Sequence, residues 1–256
     1  MRNHLRNISA LAGKELGGYF GSPIGWVVMA LFALLFGRFF IIFLNSYVTN
    51  SMQAQPGQAM NVNMYLVRPL LSNASVILLF VLPMVTMRAY SEEKRSGTIE
   101  LLLTAPLTDV EIILGKFIGA MGLYLATLGV TMVYMLMLFI WGNPEWRPML
   151  VGYLGLFLMG GCFVSVGLFF SSLTKNQIVA GVGTFIVSLL LWIIGWSAES
   201  AGPTLGPILT YLSITDHFED FTKGVLDTKH LVYYLSFMSF GLFLTAKSVD
   251  SERWRG

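Results

Sequence analysis

Charged residues are scarce in this chain of 256 residues. Only 12% of them are Asp, Glu, Lys or Arg, about half the share of a typical soluble domain, and 55% are hydrophobic. A protein with so few polar side chains cannot cover its whole surface against water. The composition therefore predicts that lipid is the solvent for much of the molecular surface.

Cysteine, basic tracts and nucleotide-binding motifs are also missing or rare. The single cysteine, Cys162, excludes an intramolecular disulfide, and a net charge of +2 without a basic tract argues against a nucleic-acid partner. A phosphate-binding loop around Gly115-Lys116 would need an earlier glycine and a following Ser or Thr, but Val110 and Phe117 occupy those positions. We therefore expect no catalytic residue, metal or cofactor in this chain, and no hydrolysis of ATP.

The few charges lie in clusters, and long apolar stretches separate them. We predict an all-α integral membrane protein with a single domain, residues 1–256, because each stretch reaches the roughly 20 residues that cross a hydrocarbon core. The predicted spans are residues 24–44, 70–88, 113–140, 148–171, 177–197 and 230–248. Lys and Arg are concentrated in the segments that share a side with the N-terminus, which predicts that both termini are cytoplasmic.

The N-terminal segment, residues 4–20, has a helical pattern of its own. Its apolar side chains share one face, which predicts a helix that lies in the membrane interface. A solvated N-terminus is the alternative.

The predicted external loop, residues 198–229, separates the last two spans. Two Gly-Pro pairs near its start are expected to prevent a continuous helix. A later apolar stripe with acidic residues opposite predicts an amphipathic helix; the stripe consists of Phe218, Phe221 and Val225. His217 and His230 lack the spacing of a metal site and are expected to be solvated surface residues.

The segment between the second and third spans, residues 89–107, is named the elbow here. Gly97 is expected to stop one short helix and Pro106 a second, and Thr108 with Glu111 has the pattern of a capping box. Three consecutive leucines at 101–103 predict an apolar ridge rimmed by charge, which is typical of a surface that binds a partner. The alternative is a solvated connecting loop.

The elbow resembles the signature of a known family. The run Glu-Lys-Arg-Ser-Gly-Thr-Ile-Glu-Leu-Leu-Leu-Thr-Ala-Pro at residues 93–106, followed by Gly-Lys at 115–116, is similar to that of ABC-2 type permeases. These are the membrane subunits of one class of ATP-binding-cassette exporters. The six spans and the N-terminal helix also match, so the resemblance covers essentially the whole chain. Residues 218–227 and 242–247 are most similar to permeases associated with gliding motility.

The resemblance implies a fold, a location and partners. The fold is type V exporter-like, with a cytoplasmic coupling helix in the elbow and re-entrant or interfacial helices in the 198–229 loop. The implied location is the inner membrane of a prokaryote. The implied partners are a separate cytoplasmic ATPase holding ATP and magnesium, a second permease copy or homologous subunit, membrane lipid and an external accessory protein.

The resemblance also implies roles for residues of the elbow, which would dock into a cleft of the ATPase. The implied polar contacts come from Glu92, Glu93, Lys94 and Arg95. The bend is implied at Gly97 and Thr98, transmission of movement at Glu100, Leu102 and Leu103, and the end of the segment at Pro106.

Polar and small residues inside the spans carry further predictions. Small residues four positions apart, at 115 and 119, 161 and 165, and 167 and 171, predict close helix packing. The candidates for a translocation pathway or subunit contact are Arg38, Asn73, Thr184 and Ser188. Arg38 either extends to the outer interface or pairs with an acid of the external loop.

Two other functions remain open. One is a membrane anchor or assembly protein that recruits a cytoplasmic partner without moving cargo. The other is an intramembrane serine hydrolase in which Ser197 is the nucleophile and His217 or His230 the base. The sequence names no cargo.

Overall fold

The computed structural model describes residues 2–53, 60–198 and 200–253, and within these ranges it consists of helices and turns without a strand. The α-helices are α1 (Arg2–Gly21), α2 (Pro23–Gln53), α3 (Arg68–Thr86), α4 (Ser91–Ser96), α5 (Ile99–Thr104), α6 (Asp109–Trp141), α7 (Trp146–Leu173), α8 (Gln177–Ile193), α9 (Gly202–Leu212), α10 (Ile214–Thr222) and α11 (Thr228–Arg253). A π-helical turn (Asn63–Val67) leads into α3, and a 3₁₀ turn (Ile194–Ser197) follows α8.

Within the described residues, six helical segments are long and apolar enough to cross a membrane, which confirms the predicted number. They are Pro23–Gln53, Asn63–Ser96, Asp109–Trp141, Trp146–Leu173, Gln177–Ser197 and Thr228–Glu252. α2 continues nine residues beyond the predicted end of the first span at residue 44, because hydropathy marks where the apolar run ends, and the polar residues that follow still form helix.

α7 is the central helix of the bundle. In its most apolar part 78% of the residues are buried inside the chain, against 17% in α8. α3 and α11 pack along α7 at glycines, since a Cβ at Gly167 would collide with Thr86 and one at Gly161 with Met238. The predicted close packing at small residues is therefore confirmed at these two positions.

α1 packs along the first turns of α6. Two glycines of α6 face it: a Cβ at Gly115 would lie 2.7 Å from a side-chain atom of Leu11, and one at Gly119 would lie 2.6 Å from the Cβ of Glu15. Leu11 is buried, whereas Leu5 is 70% exposed. The apolar face of this amphipathic helix thus packs largely within the chain.

The 198–229 loop differs from the prediction at its start. α9 continues through Pro207, so the expectation that the Gly-Pro pairs prevent a continuous helix is wrong. Gly202 takes a left-handed conformation (φ 78°) at the first residue of α9. Pro203 lies in the first turn, where the backbone N–H has no helical partner in any case, so only Pro207 removes a hydrogen bond.

α10 has the predicted amphipathic character. Phe218 and Phe221 are buried, and Gly155 of α7 makes room for them, since a Cβ at Gly155 would lie 2.6 Å from the Cβ of Phe221. Val225 lies beyond α10 and is 50% exposed, so the apolar stripe ends at Phe221. α10 therefore packs near the end of the bundle where α7 begins, opposite the elbow.

Candidate functional site: the elbow between α3 and α6

The elbow folds into two short helices whose ends follow local chemistry. α4 ends before Gly97, which adopts a left-handed conformation with φ 75°. α5 ends two residues before Pro106. At the start of α6, the Thr108 side chain accepts a hydrogen bond from the Glu111 N–H, and the Glu111 carboxylate accepts one from the Thr108 N–H at 2.7 Å. These features confirm the predicted helix ends and the capping box.

Ser171 of α7 holds the turn that leads from α3 into the elbow. Its Oγ accepts hydrogen bonds from the backbone N–H groups of Tyr90 at 2.9 Å and Ser91 at 3.1 Å. The same hydroxyl donates to the carbonyl oxygen of Met87 at 3.1 Å. Because buried backbone donors are costly when unpaired, this one side chain fixes the turn to the central helix.

Lys116 of α6 joins three elements beneath the elbow. Its side chain is 1% exposed, and Nζ lies 3.0 Å from Oε1 of Glu15 on α1 and 2.8 Å from Oε1 of Glu93 on α4. Nζ also donates to the carbonyl oxygen of Ala89 at 2.7 Å, which uses the third ammonium hydrogen. A buried cation needs such partners, so Lys116 ties α1, α4 and α6 together.

A second buried lysine ties the elbow to α11. Nζ of Lys94 lies 2.6 Å from Oε1 of Glu252, and the Lys94 side chain is 3% exposed. The resemblance to ABC-2 type permeases implied contacts to a partner protein for all four charges of α4. The structure instead engages Glu93 and Lys94 in ion pairs within the chain, because both point toward the helix bundle. Glu92 is exposed and contacts Gln177 of α8.

A small mixed surface remains exposed at the tip of the elbow. It consists of Arg95, Gly97, Thr98, Glu100, Leu101 and Pro106 and is named the tip surface here. Leu101 is 71% exposed, whereas Leu102 is half-buried and packs against the core. The side chain of Leu103 lies outside the described part of the structure, so among the described leucines of the ridge the apolar contact surface is Leu101. One apolar side chain between charges of both signs suits docking against a protein.

The structure separates the four residues considered for a pathway or subunit contact. Thr184 and Ser188 are fully buried within the chain, so neither lies on a surface that a second subunit reaches. Asn73 is half-buried. Arg38 is exposed midway between the ends of α2 and makes no hydrogen bond or ion pair with any residue that the structure describes. Pairing with an acid of the 198–229 loop is therefore not observed.

Most of the sequence matches the model of a known family. Residues 9–247 match the family described as ABC-2 family transporter protein. A protein of Escherichia coli (strain K12) named "Probable multidrug ABC transporter permease YbhR" is 29% identical over 143 residues, and its counterpart in Escherichia coli O157:H7 gives the same values. The alignment covers 55% of this chain and 38% of the relative. The chain belongs to the ABC-2 family.

ABC-2 family membership agrees with the helical architecture. The proteins of this family are membrane subunits of ABC transporters and not themselves enzymes. Together with six helices long and apolar enough to cross a membrane, it identifies the chain as a multi-pass membrane protein. The chain spans 38% of the length of the curated relatives it matches, so their substrates are not transferred to it.

The serine-hydrolase alternative finds no geometric support in this ABC-2 protein. Ser197 is exposed, and its proposed bases are engaged elsewhere. The Nδ1 atoms of His217 and His230 face each other, Nε2 of His217 faces the carbonyl oxygen of Tyr211, and Nε2 of His230 faces the carboxylate of Asp220. Both histidines are buried. The expectation that they are solvated is therefore wrong, because α10 and α11 pack around them.

Sequence reasoning missed the ion pairs that support the elbow. Lys116 carried a signal, since it is the single charged residue of the predicted third span, residues 113–140, and a charge inside a span needs a partner. Glu15, Glu252 and Ser171 carried none, because their role arises only when distant helices pack together.

Proposed function

We propose that this ABC-2 family chain is the permease subunit of an ATP-driven exporter. The chain forms the translocation pathway through the membrane. A separate cytoplasmic ATPase, which holds ATP and magnesium, docks on the tip surface of the elbow. Movement of the elbow on hydrolysis then changes the arrangement of α3 and α6, between which it is inserted.

The observation that carries this proposal is the rigid support of the elbow. A coupling segment needs an exposed surface for its partner. It also needs buried contacts that keep it fixed to the transmembrane helices when the partner moves. The tip surface is exposed, and beneath it Ser171, Lys116 and Lys94 fix the elbow to α7, to α1 and α6, and to α11. A solvated connecting loop would need none of these buried contacts.

Six spans are half of a translocation unit in this proposal, so a second copy or a homologous subunit completes the pathway, with two ATPases. The termini and the elbow face the cytoplasm of a prokaryotic cell, in its inner membrane, and the 198–229 loop forms external helices in the type V manner. An external accessory protein docks on that loop. Arg38, with its exposed apolar neighbours, faces lipid, cargo or the second subunit.

Two similarities bear on the cargo of the proposed exporter. The likeness of residues 218–227 to gliding-motility permeases supports a place in that subfamily. The relatives of Escherichia coli are named as probable multidrug permeases, which supports drugs as the alternative cargo.

Docking is tested by substitutions on the tip surface that leave its support intact. The double variant Glu100→Arg with Leu101→Asp reverses one charge and places another in the contact. We expect it to lower retention of the co-expressed ATPase on purified permease by about tenfold or more, the effect of losing a central interface contact. Pull-down of the full-length permease from membranes, with ATPase activity of the eluate, measures this.

Lys175→Ala is the matched control, because Lys175 is also exposed at the elbow end of the bundle. It should retain the ATPase fully. Equal retention of the ATPase by the double variant and this control would contradict the proposal.

An anchor that recruits the same partner without moving cargo would keep all its activity when Arg38 and Asn73 are replaced by leucine, whereas the exporter should lose transport.

A further inference from the structure

Two buried histidines meet where α10 packs against the start of α11. His217 and His230 are 7% and 5% exposed, and their Nδ1 atoms lie 2.6 Å apart. Nε2 of His217 lies 3.0 Å from the carbonyl oxygen of Tyr211, and Nε2 of His230 lies 2.9 Å from Oδ2 of Asp220. All four ring nitrogens therefore have a polar partner.

These partners fix the number of hydrogens on the two rings. The Tyr211 carbonyl only accepts, so His217 carries a hydrogen on Nε2. The hydrogen bond from His230 lowers the pKa of Asp220, so this carboxylate is ionised and His230 also carries a hydrogen on Nε2. Two bare nitrogen lone pairs repel at 2.6 Å, so a further hydrogen lies between the Nδ1 atoms. The pair then holds one hydrogen more than two neutral imidazoles.

We propose that His217 and His230 form a proton-binding site, in which one extra proton is shared between the two Nδ1 atoms and balanced by the Asp220 carboxylate. A metal ion fits less well. Two nitrogens that each lie about 2.0 Å from a tetrahedral zinc are about 3.3 Å apart, farther than the observed 2.6 Å. Among the described residues, no group of three or more His, Cys, Asp or Glu side chains is placed to hold a metal ion.

The surrounding charges place the extra proton on the His230 side. Burial is the main cause that lowers the pKa of His217, so His217 is the neutral acceptor, while His230 faces the acid. The other titratable or charged groups near the pair are Asp216, Glu219 and Lys223 on or beside α10, Asp227 just before α11, Lys229, Tyr233 and Tyr234 on α11, Tyr211 on α9, Cys162 on α7 and Arg68 at the start of α3. Glu219 forms ion pairs with Arg68 and Lys223, and Lys223 also lies 3.5 Å from Oδ1 of Asp220, whose other oxygen faces His230.

The shared proton belongs to a set of hydrogen bonds that hold the junction between α9 and α10. This set, which runs from Tyr233, Tyr234 and the histidine pair to the backbone of residues 211–214, is named the clamp here. The hydroxyl of Tyr233 donates to the carbonyl oxygen of Leu212 at 2.9 Å, and that of Tyr234 donates to the carbonyl oxygen of Ile214 at 2.9 Å. The histidine pair adds a third tie from α11, through His217 to Tyr211. The clamp borders an open cleft of about 840 Å³. Protonation of the pair therefore sets how firmly this loop is held beside the cleft.

The clamp weakens on either side of the singly protonated state. Raising the pH removes the shared proton and leaves two lone pairs facing each other, so one ring must turn and release Tyr211 or Asp220. Lowering the pH below the lowered pKa of His217 places a second proton on the pair, and the stability that the neutral His217 contributes is then lost.

Nitrogen NMR of the full-length protein, labelled with ¹⁵N only at histidine, tests the proton count directly. The chain has three histidines, and His4 is a control because it is exposed and remote from the loop. At about pH 6, within the histidine range, we expect one ring of the pair to be neutral with hydrogen on Nε2 and the other to carry hydrogens on both nitrogens, with a coupling across the Nδ1–Nδ1 hydrogen bond. Two neutral rings in the pair at that pH, or signals that change on addition of a chelator, would overturn the proposal.

Hydrogen exchange of residues 202–222, corrected for its intrinsic pH dependence, tests the clamp. As the pH rises from about 5 to about 8, the histidine range, the shared proton leaves the pair. Wild-type protection should then fall about five- to tenfold, as for the loss of one hydrogen bond. His217→Phe keeps the ring stacked on Tyr233 but should abolish this pH response, whereas His4→Phe should preserve it.

Asp220→Asn removes the balancing charge without removing either ring. It should shift the loss of protection to lower pH, because the extra proton is then held less tightly. Flat protection in the wild type, or an unchanged pH response in both His217→Phe and Asp220→Asn, would overturn the inference.

Discussion

At Lys116 a full positive charge lies inside the protein, where α1, α4 and α6 meet. Removing an ammonium group from water costs several kcal/mol, and contact with Glu15 and Glu93 offsets that cost. The ring of Tyr90 contributes a further attraction, since its centroid lies 5.0 Å from Nζ. The lysine also keeps two carboxylates close together that would otherwise repel each other.

Replacing this lysine should therefore destabilise the protein strongly. Lys116→Met keeps the length of the side chain and leaves Glu15 and Glu93 without their shared cation. We expect a loss of about 3 kcal/mol in the free energy of unfolding, the size found when one partner of a buried ion pair is removed. Thermal unfolding of the purified protein in detergent measures this loss.

Two variants make the Lys116 measurement specific. Lys175→Met replaces an exposed lysine at the same end of the bundle and should change little. Adding Glu15→Gln and Glu93→Gln to Lys116→Met removes both unpaired charges and should restore part of the stability. Equal midpoints for Lys116→Met and Lys175→Met would show that the ion pairs carry no stability.

The partners of these buried residues were beyond prediction from the sequence. Lys116 is 101 positions from Glu15 and 23 from Glu93, and nothing in the local pattern joins them. The same applies to His217 and His230, which look like loop residues until α10 and α11 pack around them. Burial of a polar residue follows from tertiary packing, whereas a sequence window records only its neighbours.

Helix ends, in contrast, could be predicted wherever local chemistry sets them. Gly97 stops α4, and Thr108 with Glu111 caps α6, because each signal acts within a few residues of the helix end. The prediction was wrong for α9, where Gly202 and Pro203 begin a helix that they were expected to break. A Gly-Pro pair fits the first turn of a helix as well as it fits a break, and only the three-dimensional context distinguishes the two.

The close contact between α3 and α7 depends on a glycine, Gly167, which has no side chain to separate the two helices. A Cβ at Gly167 would lie 2.5 Å from the Cβ of Thr86, and this part of α3 is buried. Gly167→Ala should therefore push the two helices apart and cost about 2 kcal/mol, the usual scale of overpacking in a closely packed core. Unfolding of the detergent-solubilised variant, followed by circular dichroism, measures this cost.

Gly129→Ala is the control for that experiment. Gly129 also lies within a candidate span, but a Cβ there would meet nothing within 4 Å. Its replacement should be neutral or slightly stabilising, since alanine favours helix more than glycine does. If both alanine variants unfolded at the wild-type temperature, close packing at Gly167 would not determine the α3–α7 contact.

Across the whole molecule, the two ends of the bundle have different chemistry. The elbow end holds the buried lysines and the tip surface, and the opposite end holds the histidine pair and the cleft. α7 contacts both ends, since its Ser171 binds the elbow and its Gly155 receives α10. The elbow therefore contacts one continuous, buried helix, α7, which also contacts the 198–229 loop at the other end of the bundle.

The proposed coupling depends on a separate ATPase that docks on the tip surface. Photo-crosslinking in membranes detects this contact, with a photoreactive amino acid placed at position 101 of the full-length chain. Leu101 is 71% exposed at the tip, whereas Leu125, the control position, is 57% exposed on an apolar stretch of α6. We expect position 101 to crosslink to a polypeptide with an ATP-binding cassette, identified by mass spectrometry, and position 125 not to do so. Absence of this product at position 101, in membranes that contain both proteins, would show that the ATPase does not dock on the tip surface.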